Sequence, residues 1–283
     1  MESLKNSYKE VVQTSRDDTY KLPSVLSIAG SDSSGGAGIQ ADIKTIEALG
    51  LFAQTAITAV TAQNTCGVTD IVNITPSCVT AQIDAVFGDI CPTAVKIGMV
   101  SAPEIIQAIA EDLRRHNAQN IVVDPVMVST SGSRLISEEA LDTLVSELFA
   151  VADIITPNVP EAEILTGMEI ATDQDMIAAA KRLAGMVDHA AVMLKAGHAL
   201  NHANDLLYVN DEVTWLEGVR IDTDNTHGTG CTLSSAIACG LATGLSVQEA
   251  AREAKDYVAG ALQAGLNMGK GSGPLDHMWF HRL

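Results

Sequence analysis

The run Asn225-Thr226-His227-Gly228-Thr229-Gly230-Cys231-Thr232 joins a loop suited to phosphate to a nucleophilic side chain. Two glycines flank Thr229, and apolar residues at helical spacing follow: Leu233, Ala236, Ile237 and Leu241. Glycine lets backbone approach a ligand with no Cβ in the way. A helix start then offers unpaired N–H groups and the positive end of its dipole. Cys231 falls in that first turn, where a thiol pKa is expected to drop. A nucleotide γ-phosphate and a substrate hydroxyl could meet over one cysteine there. The same residues also fit an ordinary loop entering a buried helix, with Cys231 a small core side chain, because short motifs recur by chance.

Other groups with chemistry to offer are scattered along the chain. Gly30-Ser31-Asp32-Ser33-Ser34-Gly35-Gly36-Ala37-Gly38 is glycine-rich, but it is neither G-x-G-x-x-G nor closed by Gly-Lys-Ser/Thr. It reads as a generic strand-to-helix turn or as a loop shaping a small-ligand pocket, with Asp42 one turn into the helix as a solvated acid or a pocket group. Asp124 before Pro125 is either a strand terminator or a carboxylate placed to organise Mg2+, which takes one or two carboxylates plus phosphate and water. Asn158 and Glu161 are spaced to cap a short helix, or to hold a hydrated metal. Lys195 ends an apolar run, so its charge needs a partner, and a phosphate is one candidate. His227 beside Gly228 reads as a turn residue, and Cys66, Cys78, Cys91 and Cys239 as core or incidental thiols.

The elements that must position these groups alternate between strand and helix. Short β-rich or apolar runs predict strands at 25–29, 55–60, 68–74, 94–97, 121–124, 153–156 and 191–195. Helical periodicity predicts helices carrying Ile39, Ile43 and Ile46, then over 76–87 (Val79, Ile83, Val86), 103–116 and 137–149, a short one after Pro160, and 173–186. Runs 205–209 and 213–216, separated by Asn210-Asp211-Glu212, predict a hairpin. Two long helices follow from Cys231. The pattern predicts one α/β domain over 24–283 around a mostly parallel sheet, preceded by a polar tail at 1–23. In such sheets ligands lie beyond the carboxyl ends of the strands. Asp32, Gln63-Asn64, Gly98-Met99, Asp124, Asn158 and Lys195-Ala196-Gly197-His198 each follow a predicted strand, so one edge of the sheet collects the polar side chains.

Bulk properties narrow the partners. A formal charge of −18, from 35 acidic against 17 basic residues, repels nucleic acid and anionic membrane. Any phosphate must therefore be held by local dipoles, a few cations and a metal. The 5 cysteines show no C-x-x-C pair and the 7 histidines no metal spacing, which fits neither a disulfide framework nor a zinc site and suits a reducing, cytoplasmic compartment. The tail has no signal-peptide run, and no apolar stretch is long enough for a membrane span.

Nine segments in order, from about residue 24 to about residue 277, resemble the hydroxymethylpyrimidine/phosphomethylpyrimidine kinases of thiamine biosynthesis, within the ribokinase-like superfamily. They are residues 28–32, 34–42, 61–65, 96–99, 124–127, 156–161, 195–198, 225–232 and 269–274. The resemblance implies a ribokinase-like fold with helices on both sheet faces, and an ATP- and Mg2+-dependent kinase, as a homodimer. Its substrate would be 4-amino-5-hydroxymethyl-2-methylpyrimidine and then the monophosphate; a pyridoxal kinase is the neighbouring alternative. It implies that Gln63 and Asp42 read the ring's amino group and nitrogens, with Gly30, Met99 and Val126 lining the ring. Cys231 would be the base, and Thr226, Gly228, Thr229, Gly230 and Lys195 would hold phosphate. Asp124, Asn158 and Glu161 would organise Mg2+ directly or through water. The chain departs from common family residues at Thr130, Ser133, Ala196 and Ser33, where many members have Lys, Asp, Gly and Pro. A missing lid cation at Thr130 would weaken phosphate contact.

Overall fold

The strands order themselves by burial. The computed structural model describes residues 22–127, 136–187, 190–197 and 203–282. Residues 1–21 of the predicted tail, the 128–135 stretch with Thr130 and Ser133, and His198 lie outside the described residues. The first half contains β1 (Ser24–Asp32), α1 (Gly38–Ala48), β2 (Phe52–Asn64), β3 (Gly67–Asn73), α2 (Pro76–Phe87), β4 (Ala94–Ile97), α3 (Pro103–Arg115) and β5 (Ile121–Val123). Then come α4 (Glu138–Thr143), β6 (Ile154–Ile155), α5 (Val159–Thr166), α6 (Asp173–Ala184), β7 (Ala191–Leu194), β8 (Asp205–Val209) and β9 (Glu212–Leu216). The last elements are α7 (Thr229–Ala242) and α8 (Val247–Gln263).

Among the described residues the strands form one sheet in the order β3-β2-β1-β4-β5-β6-β7-β8-β9. The six from β2 to β7 in that order run parallel, while β3, β8 and β9 are antiparallel additions at the two edges. Ile83, Ile105, Ile109 and Leu183, on α2, α3 and α6, pack against one face. Ile46, Ile237, Cys239 and Ala254, on α1, α7 and α8, cover the other. A strand covered on both faces has no polar side, which is why Val25, Leu26, Ile28 and Ala29 of β1 are all fully buried.

The expected α2 and β4 appear with the predicted bounds. Thr75 caps α2 by accepting from the Cys78 N–H, and Pro76 occupies its first turn. The helix expected over 137–149 instead gives way after Thr143 to a π-helical turn, Leu144–Leu148, and a 3-10 turn, Phe149–Val151. The changed winding keeps Leu144, Leu148 and Phe149 in the core. The hairpin turn is two residues, Asn210 and Asp211, both left-handed (φ 50° and 65°), and Glu212 already belongs to β9.

Sheet order reverses direction between β1 and β4. The first crossover leads to β2 on one side, the later ones to the other. A crevice must open at the carboxyl ends of the strands there.

Candidate active site

That crevice is a cleft of about 400 Å3. Gly30, Ser31 and Asp32 from β1, Thr61 and Gln63 from β2, and Met99 after β4 line one part. Asp124 and Val126 after β5, Asn158 and Glu161 at α5, and Lys195 after β7 line another. Thr226 to Cys231, entering α7, close it. A Cβ on Gly30 would stand 2.6 Å from the Met99 Cε, so glycine there leaves Met99 its place in the wall.

Gly228 is the N-cap of α7 with φ 85°, a conformation that favours glycine. A Cβ on it would lie 1.9 Å from the Gly36 carbonyl oxygen, so the two glycine-rich loops cross in contact. With no side chain at the cap, the Gly230 and Cys231 amides are left for a ligand. Thr229 donates its amide and its hydroxyl to the Thr226 carbonyl, which holds the loop closed (3.3 and 2.8 Å).

The expected fall in the Cys231 pKa is not what this environment produces. Burial pushes the thiol up to about 11, and the Asp42 and Asp124 carboxylates push the same way. The Lys96 ammonium and the Gly38 N–H oppose them without prevailing.

Lys195 Nζ donates to Asp124 Oδ1 at 2.9 Å, and Thr156 Oγ1 donates to the same oxygen at 3.0 Å. Burial works against the lysine's charge, but Asp124 and Glu161 more than offset it, so its pKa is raised. Glu161 is pushed up to about 7, chiefly by burial and further by Asp124, against Lys195. The cap alternative for Asn158 and Glu161 is realised: Asn158 Oδ1 accepts from the Glu161 N–H, and Glu161 Oε2 from the Asn158 N–H. One lone pair of the Asn158 amide oxygen is thus committed to the backbone of α5, which leaves its other lone pair and its NH2 for the expected contact to Mg2+ or its water shell. No group of three or more His, Cys, Asp or Glu among the described residues is placed to hold a metal ion by itself. The acidic donors that are present suit a Mg2+ completed by phosphate oxygens and water.

Asp42 is the expected site residue that the fold takes away from the cleft. It is fully buried, with Lys96 Nζ at 2.9 and 3.0 Å, Ser27 Oγ at 2.6 Å and Ser235 Oγ at 2.8 Å. Both carboxylate oxygens are occupied, so Asp42 does not read a ring nitrogen. Its partner Lys96 is equally buried, and Asp42 raises its pKa against the effect of burial. A lysine inside the apolar run Ala94-Val95-Lys96-Ile97 carried the same signal that singled out Lys195, a buried charge requiring a partner.

A second pair missed in the sequence is His227 with Asp32, Nε2 to Oδ2 at 2.8 Å, both buried at the cleft. Burial raises the Asp32 pKa, but hydrogen bonds from His227, Ser34 and the Ala37 amide bring it down to about 2. Asp32 thereby ties the Gly35-Gly36-Ala37 turn to the loop before α7. Nothing local could have revealed a contact between residues so far apart in the chain.

The family described as phosphomethylpyrimidine kinase matches residues 32–276. A hydroxymethylpyrimidine/phosphomethylpyrimidine kinase of Rhizobium meliloti is 49% identical over 260 residues, 91% of this chain and 97% of that protein. Among solved structures, the phosphomethylpyrimidine kinase of Clostridium difficile is 44% identical with a TM-score of 0.75, covering 83% of this chain and 97% of its own. A pyridoxal kinase of Staphylococcus aureus, in complex with AMP-PCP and pyridoxal, is 33% identical with a TM-score of 0.85, covering 93% and 96%.

Proposed function

The chain belongs to the phosphomethylpyrimidine kinase family, of ribokinase-like fold, and we infer that it moves the γ-phosphoryl group of ATP onto 4-amino-5-hydroxymethyl-2-methylpyrimidine and then onto the monophosphate. The product is the pyrimidine pyrophosphate used for thiamine. The observation that carries this reading is the start of α7: Gly228, Gly230 and Cys231 open into the same cleft as Lys195 and Gln63.

Phosphoryl transfer is mostly positioning and charge stabilisation. The Gly230 and Cys231 amides and the Lys195 ammonium supply donors and positive charge for the transferring group. Thr226 and Thr229 shape the loop around it. Met99 and Val126 wall the ring, and Gln63 pairs with its polar edge.

Cys231 accepts the hydroxyl proton only as thiolate. Lys96 favours that form; burial, Asp42 and Asp124 oppose it. A cation beside Asp124 would offset one of the opposing carboxylates. Mg2+, held through Asp124 and water-mediated contact to Glu161, would supply that charge and neutralise phosphate oxygens. In a loose transition state the proton leaves late, so the amides act before the base does.

We assign 24–283 to one kinase domain, a reading supported by the one continuous sheet that the described residues form. Apolar side chains exposed at its β2–β3 edge, Val60, Ile71 and Val72, support a homodimer. Free, exposed Cys66, Cys78 and Cys91 support a reducing cytoplasm. No helix among the described residues is long and apolar enough to cross a membrane.

The test is mass-resolved product analysis with Mg-ATP and equal hydroxymethylpyrimidine and pyridoxal. Pyrimidine mono- and diphosphate are expected. Pyridoxal phosphate as the main product would replace this reading with vitamin B6 salvage, which the high TM-score to a pyridoxal kinase makes the natural competitor.

A further inference from the structure

Thr61, Gln63, His227 and Asp32 form a row of side chains along the cleft in which every proton can be counted. Thr61 Oγ1 lies 2.9 Å from the Ser31 carbonyl oxygen and 3.0 Å from Gln63 Oε1. A hydroxyl has one proton to donate. The Ser31 carbonyl can only accept, so it takes that proton, and Thr61 can offer Gln63 only a lone pair. At the amide's other end, Gln63 Nε2 lies 3.5 Å from His227 Nε2, which is itself 2.8 Å from Asp32 Oδ2. Asp32 also accepts from the Ser34, Gly36 and Ala37 N–H groups, and at about 2 it is ionised. His227 Nε2 therefore carries the proton it gives to Asp32, whether or not the ring is charged.

With the amide so placed, oxygen faces a lone pair at one end and NH2 faces an N–H at the other. The two ends of a carboxamide are alike in shape, and hydrogen bonding decides which is which. A half turn corrects both mismatches at once. The NH2 then donates to Thr61, and the oxygen lies against the positive edge of His227, whose Nε2 proton stays with Asp32. The Gln63 backbone is held in place: Ser33 Oγ donates to the Gln63 carbonyl at 2.8 Å and accepts from its N–H at 2.9 Å.

Resting on the pyrimidine-kinase reading, we propose that Thr61 and the His227–Asp32 pair are positioning residues that hold the Gln63 oxygen toward His227 and its NH2 toward Thr61, and so set which way round an aminopyrimidine enters. An amide pairs edge-on with a ring nitrogen and the neighbouring amino group, its oxygen accepting from the amino group and its NH2 donating to the ring nitrogen. The fixed amide puts the substrate's amino group on the His227 side and the ring nitrogen on the Thr61 side. The hydroxymethyl carbon adjoins the amino-bearing carbon, on the side away from that ring nitrogen. It therefore points to the end of the cleft where His227 runs into Gly228 and Cys231. The opposite amide orientation would reverse the ring and turn the hydroxyl away from the phosphate loop.

The test measures kcat and KM of the full chain and of Thr61→Val and Thr61→Ser, with hydroxymethylpyrimidine and with its analogue lacking the amino group. Freeing the amide raises KM of Thr61→Val for the pyrimidine about tenfold, the scale of one lost hydrogen bond with a mispaired group, with kcat little changed. The analogue changes less, and Thr61→Ser restores the pyrimidine KM. Equal losses on both compounds, or none, would overturn the proposal. A crystal structure of the full chain with hydroxymethylpyrimidine needs no variant, because the ring's methyl and hydroxymethyl groups report its orientation. Its amino group beside His227 supports the proposal, and beside Thr61 refutes it. Failure of the underlying reading is distinct: the unsubstituted chain would then phosphorylate pyridoxal and not the pyrimidine.

Discussion

Asp42→Asn separates a buried charge partner from a substrate reader. The Asp42–Lys96 pair spans 2.9 Å with both side chains fully buried, and asparagine preserves volume while removing the negative charge. No cavity opens, so the cost is that of leaving the Lys96 ammonium uncompensated, about 3–5 kcal/mol for removing one member of a buried pair. In a domain of this size 1 kcal/mol moves Tm by about 2–4 °C, so a fall on the order of 10 °C is expected. The assay is thermal and urea unfolding monitored by circular dichroism, with pyrimidine KM measured at a temperature where both proteins are folded. A double substitution, Asp42→Leu with Lys96→Met, should recover much of the loss, because apolar replacements of a buried pair are often neutral or better. If Asp42→Asn leaves Tm unchanged and raises KM more than about tenfold, the carboxylate contacts the ring and the reasoning from burial is wrong.

Glu161, with its pKa near 7 in the fold against 4.5 ordinarily, costs stability once ionised. That cost is absent below about pH 4.5, grows as pH rises toward 7 and is complete above it, so Glu161→Gln should flatten the decline seen in urea unfolding across this window. Cys231→Ala should bind the pyrimidine normally by calorimetry while kcat falls about 10²–10⁴-fold, the usual contribution of a positioned base; near-normal turnover would remove Cys231 from that role. Its thiol, held near 11, should react with iodoacetamide at neutral pH more slowly than the exposed Cys66, Cys78 and Cys91, as peptide mapping by mass spectrometry can check. Gly228→Ala should cost at least about 1–2 kcal/mol from its left-handed backbone alone, and displacing the Gly36 carbonyl should also abolish phosphate transfer, read from unfolding and kcat.

The parts of the fold legible in the sequence are those fixed by neighbours in the chain. Pro76 with Thr75 marks the start of α2, and the apolar run 94–97 marks β4. The polar residues after successive strands collect at one sheet edge because parallel topology requires it. What the sequence could not reveal depends on residues far apart. Asp42 reads as a surface acid or a pocket group until Lys96 and Ser235, 54 and 193 positions away, are packed against it. The Cys231 pKa follows from burial that its helix position alone does not disclose. Asn158 and Glu161 left two readings open, and their mutual capping bonds place the amide oxygen on backbone. The widened turn at Leu144–Leu148 has no proline or glycine to announce it.

The joining of Asp32 to His227, 195 residues apart, has a consequence for how the chain is made. Thr65 likewise accepts from the Lys270 and Gly271 amides, 205 and 206 positions on. On the ribosome every strand emerges before α7 does. Until then Ala94 and Val122 lack the cover that Ile237 and its neighbours on α7 supply. α1 covers part of that face early, but the part under α7 and the phosphate loop that opens α7 are completed by the same segment of chain. The phosphate loop and the pocket wall therefore depend on contacts that only the last third of the chain supplies.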